Sequence, residues 1–134
     1  MLYSGSLVLL SLKIGEVWQE IGGMRNTKMI LTQQLIDVSN VAGGNWRELM
    51  NQAGLLHINI NGEGVFLNSQ AEKIIQKIAF KAILSEYKLA FASGDYLVGV
   101  FQIIHYERFG EVDEEECYAI TLANSGRIEY YSVD

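Results

Sequence analysis

The chain has 134 residues, enough for one compact domain with its own core and too few for two. Its apolar share of 49% and charged share of 19% are those of an ordinary globular protein and exclude general disorder. A formal net charge of -6 excludes a binder that grips nucleic acid by neutralising phosphates.

Single residue types narrow the class further. One cysteine, Cys117, excludes an intrachain disulfide and a thiolate zinc cage. The two histidines, His57 and His105, lie too far apart in sequence to suggest a metal site by spacing. Proline is absent, where average usage of about 5% would supply roughly seven. Strand interiors reject proline, so this bias suits a chain that is mostly sheet, with glycine making the sharp turns.

In chain order, Leu7–Leu12 reads as a first strand. It lacks the basic flank and small-residue cleavage site of a signal peptide and is far too short to span a membrane. Glu16–Ile21 reads as a short second strand stopped by Gly22-Gly23. Lys28–Asp37 is rich in β-formers and glutamine. Residues 39–53 form a polar, glycine-containing loop with a possible helical turn at Trp46–Met50. Leu55–Asn61 alternates, with Leu56, Ile58 and Ile60 on one side and His57, Asn59 and Asn61 on the other, which is a half-buried strand.

A helix is predicted over residues 69–82. Ala71, Ile74, Ile75, Ile78 and Ala82 make an apolar stripe, and Ser69 with Glu72 has the spacing of a capping box. Glu72, Lys73, Gln76 and Lys77 are assigned to its polar side. Strands resume with Tyr87, Leu89 and Phe91 alternating with Glu86, Lys88 and Ala90. Ser93-Gly94-Asp95 is a turn, and Tyr96–Glu107 is a long strand. Phe109–Glu115 is an acidic, solvated connection. Tyr118, Ile120 and Leu122 then alternate with Cys117, Ala119 and Thr121, and Arg127–Val133 is the last strand after an Asn124-Ser125-Gly126 turn. The expected fold is mainly β with one α-helix: a two-sheet antiparallel β-sandwich or open barrel flanked by the helix, as a single domain over residues 1–134.

No catalytic constellation emerges. Gly62-Glu63-Gly64 lacks the third glycine and adjacent helix of a nucleotide-binding run. No P-loop, nucleophile elbow or zinc-protease motif is present. Cys117, on a strand in series with Ala119 and Thr121, reads as a packed small residue. The acidic run Glu111, Asp113, Glu114, Glu115 and Glu116 lacks the spacing and turn glycine of a calcium loop and reads as a solvated hairpin turn. The expectation is a protein with no enzymatic activity, cofactor or metal.

Three segments together resemble the major tail tube protein family of long-tailed, non-contractile bacteriophages and gene transfer agents. They are Gly23-Met24-Arg25-Asn26-Thr27 with the strand ending Asp37-Val38-Ser39-Asn40; Gly43-Gly44-Asn45-Trp46-Arg47-Glu48-Leu49-Met50 with the strand from His57 to Phe66; and Tyr106–Val112 with Leu122–Ile128. Their order and spacing around one helix carry the likeness, from about Ser6 to Val133.

The resemblance implies a virion structural protein, assembled in the bacterial host cytoplasm. It forms hexameric rings that stack into a hollow tube, and its strands join a continuous inner barrel through which DNA passes unbound. Implied partners are further copies of itself, a tape measure protein in the lumen, and tail terminator and distal tail proteins at the ends, with no membrane. Trp46, Arg47 and Glu48 would lie in the loop that joins stacked rings, although Trp46 could instead close its own subunit's core. His57, Asn59, Asn61, Glu63, Glu86 and Lys88 are candidates for the lumen face, which would be acidic so that DNA slides without sticking. The same residues could face outer solvent. The alternatives are a tube subunit of a type VI secretion-like system and a small ligand-binding β-barrel.

Overall fold

The computed structural model describes residues 8–22, 24–34 and 55–133. Trp46, Arg47, Glu48 and the rest of the expected loop at 39–53 lie outside them. Eight strands and one helix follow in the order β1 (Leu9–Ile14), β2 (Val17–Glu20), β3 (Met24–Gln34), β4 (Leu55–Val65), α1 (Gln70–Lys81), β5 (Ser85–Ala90), β6 (Tyr96–Phe109), β7 (Cys117–Asn124) and β8 (Glu129–Tyr131). All pairings are antiparallel.

The strands form one sheet, in the order β2-β1-β5-β6-β7-β4-β3, with β8 also paired to β6. The two sheets expected from the strand pattern are therefore not separate: hydrogen bonds run continuously from one edge to the other. The edge strands β2 and β3 are neighbours in sequence, with only residues 21–23 between them. Seven strands laid flat would separate those edges by about 29 Å. Four Cα steps reach at most about 15 Å. The sheet must curl until its first and last strands approach each other. One contact shows the closure: the Tyr118 hydroxyl on β7 donates to Gly22 O, in the link between the edges, at 3.2 Å.

The curl encloses one core. Leu10, Leu12, Ile60, Tyr87, Leu89, Leu97, Phe101, Tyr118, Ile120 and Leu122 are each at most 2% exposed. Tyr87, Leu89, Tyr118, Ile120 and Leu122 are the larger apolar partners in period-two alternations, so there the sequence pattern and the buried face coincide, whereas Leu56, on the apolar side of its alternation, is exposed. Ala71 and Ile75 add the inner side of α1, which lies against β6.

Local chemistry explains the helix ends. Ser69 Oγ accepts from Glu72 N at 3.3 Å, and the Glu72 carboxylate accepts from Ser69 N at 2.7 Å and from Leu67 N at 2.9 and 3.0 Å. Glu72 is thus 1% exposed, not on the polar side where its spacing with Lys73, Gln76 and Lys77 had assigned it. Its carboxylate is spent on backbone donors that no helical carbonyl can reach. Ala82, assigned to the apolar stripe, instead ends the helix in the left-handed region at φ 53 and is exposed.

Candidate functional site

Cross-strand register decides which side chains share a face. Asn59 pairs with Ala123, Asn61 with Thr121 and Glu63 with Ala119; Ala123 pairs in turn with Gln102, Thr121 with His105 and Ala119 with Glu107. On the other flank Glu86 pairs with Val100 and Lys88 with Val98, while Lys88 also pairs with Ser11. All six candidate residues, His57, Asn59, Asn61, Glu63, Glu86 and Lys88, therefore lie on the face of the sheet opposite the core. None is buried.

The curl divides this face. His57, Asn59, Asn61 and Glu63 sit on β4, whereas Glu86 and Lys88 sit on β5, three strands away. Neighbouring strands rotate by about 20–25° in any twisted sheet, and closing the edges adds curvature. The outward directions of β4 and β5 diverge accordingly, so the six residues make two patches.

The first patch runs over β3, β4, β7 and the second half of β6. Its side chains are mostly short or uncharged: Asn59, Asn61, Ala119, Thr121, Ala123 and Gln102. The Thr121 hydroxyl donates to Asn61 Oδ1 at 3.0 Å, and Asn124 Oδ1 accepts from Ile58 N at 2.9 Å, which fixes β7 against β4. Its charged side chains are few, Lys28 of one sign and Glu63 and Glu107 of the other, and His105 Nε2 lies 3.0 Å from Glu107 Oε2.

The second patch centres on β5. Glu86 lies 3.6 Å from Lys13 Nζ. Lys88 places its ammonium 4.5 Å from the ring centre of Tyr96, which stacks on Tyr131 at 4.9 Å. An ammonium over an aromatic face is attracted to the ring's negative centre without needing a carboxylate.

The negative charge gathers elsewhere. The turn between β6 and β7 carries Glu111, Asp113, Glu114, Glu115 and Glu116, five carboxylates in a chain of net charge -6. Arg25 holds Glu115 at 3.1 Å, and Arg108 holds Glu116 at 2.7 and 3.0 Å. The Arg108 guanidinium also lies 3.8 Å from the Phe66 ring centre and donates to Gln76 Oε1 at 2.9 Å, tying the turn's base to α1.

Cys117 is half-buried beside Ala119 on the face away from the core, with Sγ 3.9 Å from Glu115 O. No group of three or more metal-ligating side chains comes together among the described residues. The β6 edge was missed from sequence. β5 pairs with β6 only from Tyr96 to Phe101, so among the described residues no strand covers the same side of β6 from Gln102 to Phe109. The mismatch in length between the two hydrophobic runs was the available signal.

Comparison with known proteins places this architecture. None of the curated proteins matches the sequence. Among solved structures, the tail of an empty gene transfer agent particle, refined with six-fold helical symmetry, superposes with a TM-score of 0.89 at 24% identity, over 98% of this chain and 100% of that one. The virion of a native gene transfer agent particle gives 0.88 at 25% identity over the same shares. The SPP1 tail tube gives 0.74 at 13% identity, over 98% of this chain and 80% of that one, a likeness of fold alone. The profile of the phage tail tube protein family matches residues 3–130, nearly the whole sequence, and the chain belongs to that family.

Proposed function

We propose that this chain is the repeating subunit of a tail tube in a phage or gene transfer agent particle, six copies closing each ring and rings stacking into a hollow channel. The observation that carries this reading is full-length correspondence with subunits of assembled tails, 98% of this chain against all of those chains. The β6 edge that no described strand covers supports it, because a strand from a neighbouring subunit would satisfy backbone groups that otherwise invite uncontrolled pairing.

The wall of the channel is the patch on β3, β4, β7 and β6, with His57, Asn59, Asn61 and Glu63 toward the lumen. Its side chains, mostly short or uncharged, suit DNA passage: rows of lysine would release counterions and hold the polyanion. Glu86 and Lys88 belong to the outside of the tube. The loop around Trp46, Arg47 and Glu48 joins one ring to the next, with the indole as apolar anchor. A tape measure protein occupies the lumen during assembly, and tail terminator and distal tail proteins cap the ends.

Negative-stain electron microscopy over a range of concentrations, with solution mass in parallel, tests the assembly. Six-fold rings or hollow tubes are expected; a monomer that persists even with tail-initiating proteins present overturns it. With Cys117 replaced by serine, a cysteine at position 61 should resist a bulky maleimide in tubes while one at position 86 reacts. Equal labelling removes the lumen assignment. Trp46→Ala should leave rings but not tubes, whereas loss of folding assigns the indole to the subunit's own core.

A further inference from the structure

The outer side of α1 is an unpartnered helix face of unusual composition. Lys73, Lys77 and Lys81 follow one another at four-residue spacing, so their ammonium groups form a single row. None of the three has an ion-pair partner among the described residues. Beside them Phe80 is 80% exposed. Phe66, Phe80, the three lysines and Arg108 line an open groove of about 460 Å³.

The β6–β7 turn carries the opposite arrangement. Glu115 and Glu116 are held by Arg25 and Arg108, which leaves Glu111, Asp113 and Glu114 at the tip without ion-pair partners among the described residues. Among these three sits Val112, 90% exposed. Each surface thus has one bare apolar side chain flanked by three unpaired charges, and the signs are opposite. Within one subunit no ion pair links them, although Arg108 anchors the base of the turn beside α1.

We propose that the Glu111–Glu114 tip of one subunit seats in the Lys73–Lys81 groove of an adjacent copy, with Val112 against Phe80. This inference rests on the tube reading, which supplies the adjacent copy. Two different patches meeting in this way make a heterologous contact, the kind that repeats around a ring or along a stack. The lysine row steers the tip and fixes its register, and the apolar pair in the centre loses its water on docking. Ionic strength weakens the attraction, so added salt raises the concentration needed for assembly.

Charge reversal tests the contact. Wild type, K77E/K81E, E111K/E114K and an equal mixture of the two variants are compared by electron microscopy and solution mass, with folding checked by circular dichroism. Each variant alone should need at least about tenfold more protein to assemble, because like charges now face each other. The mixture should assemble as wild type does, since in an alternating arrangement every junction again pairs opposite charges. Folded variants that assemble normally by themselves overturn the proposal and leave the tube reading intact. Folded variants that fail in the mixture also overturn it. A wild type that never assembles removes the tube reading itself, and this contact with it.

Discussion

The Tyr118 hydroxyl donates to the Gly22 carbonyl at 3.2 Å, reaching from the start of β7 to the short link between the two edges of the sheet. That bond reports the closure on which the rest of the fold depends. Tyr118 is 1% exposed, and its ring meets Phe66 edge-on at 6.1 Å, so packing places the hydroxyl. Burial also raises the phenol's pKa, keeping it a proton donor throughout the ordinary pH range.

Tyr118→Phe keeps the ring and removes the donor. A loss of about 1 kcal/mol in unfolding free energy is expected by urea titration, with assembly unchanged. A variant as stable as wild type would show that the link is held by its short length alone.

The buried carboxylate of Glu72 satisfies the backbone of Leu67 and Ser69. Glu72→Ala strands those N–H groups and should cost about 1–3 kcal/mol. Ser69→Ala, which removes one cap acceptor, should cost about 1 kcal/mol. Because each residue completes the other's cap, the double variant should lose less than the sum, as a double-mutant cycle would measure.

Gly99 marks a close approach on the core face of β6. A β-carbon at that position would lie 2.1 Å from Ile128 Cδ1 and 3.4 Å from Ile128 Cα. Gly99→Ala should destabilise by about 1–3 kcal/mol through overpacking. Shortening the opposing side chain with Ile128→Ala should recover part of that loss in the double variant, and purely additive costs would contradict the contact.

Asp95 ties the β5–β6 turn to β8. Its carboxyl accepts from the Ser93 hydroxyl and from the Tyr130 hydroxyl, the latter at 2.6 Å. These hydrogen bonds, Ser93 first, hold its pKa below the usual carboxylate value. A depressed folded-state pKa stabilises above the unfolded value, and the benefit is lost as pH falls through the folded value. The difference in urea midpoint between wild type and Asp95→Asn should thus be full at neutral pH and fade below about pH 4. A difference that grows in acid would contradict the assignment.

Much of this structure was written locally. The stripe of Ala71, Ile75 and Ile78 with its Ser69–Glu72 cap specifies a helix, because both signals act within a few residues. Alternation sorted Leu56, Ile58 and Ile60 from His57, Asn59 and Asn61, and register then placed the polar set away from the core. The sign and position of the acidic turn are likewise properties of the chain itself.

Other features depend on contacts distant in sequence. Joining β1 to β5 and β4 to β7 brings together residues more than fifty positions apart, and no local pattern encodes which strands pair. The curl follows from connecting opposite edges through residues 21–23, so only the assembled sheet separates the β4 patch from Glu86 and Lys88. Lys88 rests on Tyr96 because the β5–β6 hairpin brings that ring across to it. Sequence by itself determined which side chains share a face, since period-two geometry is local; tertiary structure decided where each face points, since that direction is set by closure of the whole sheet.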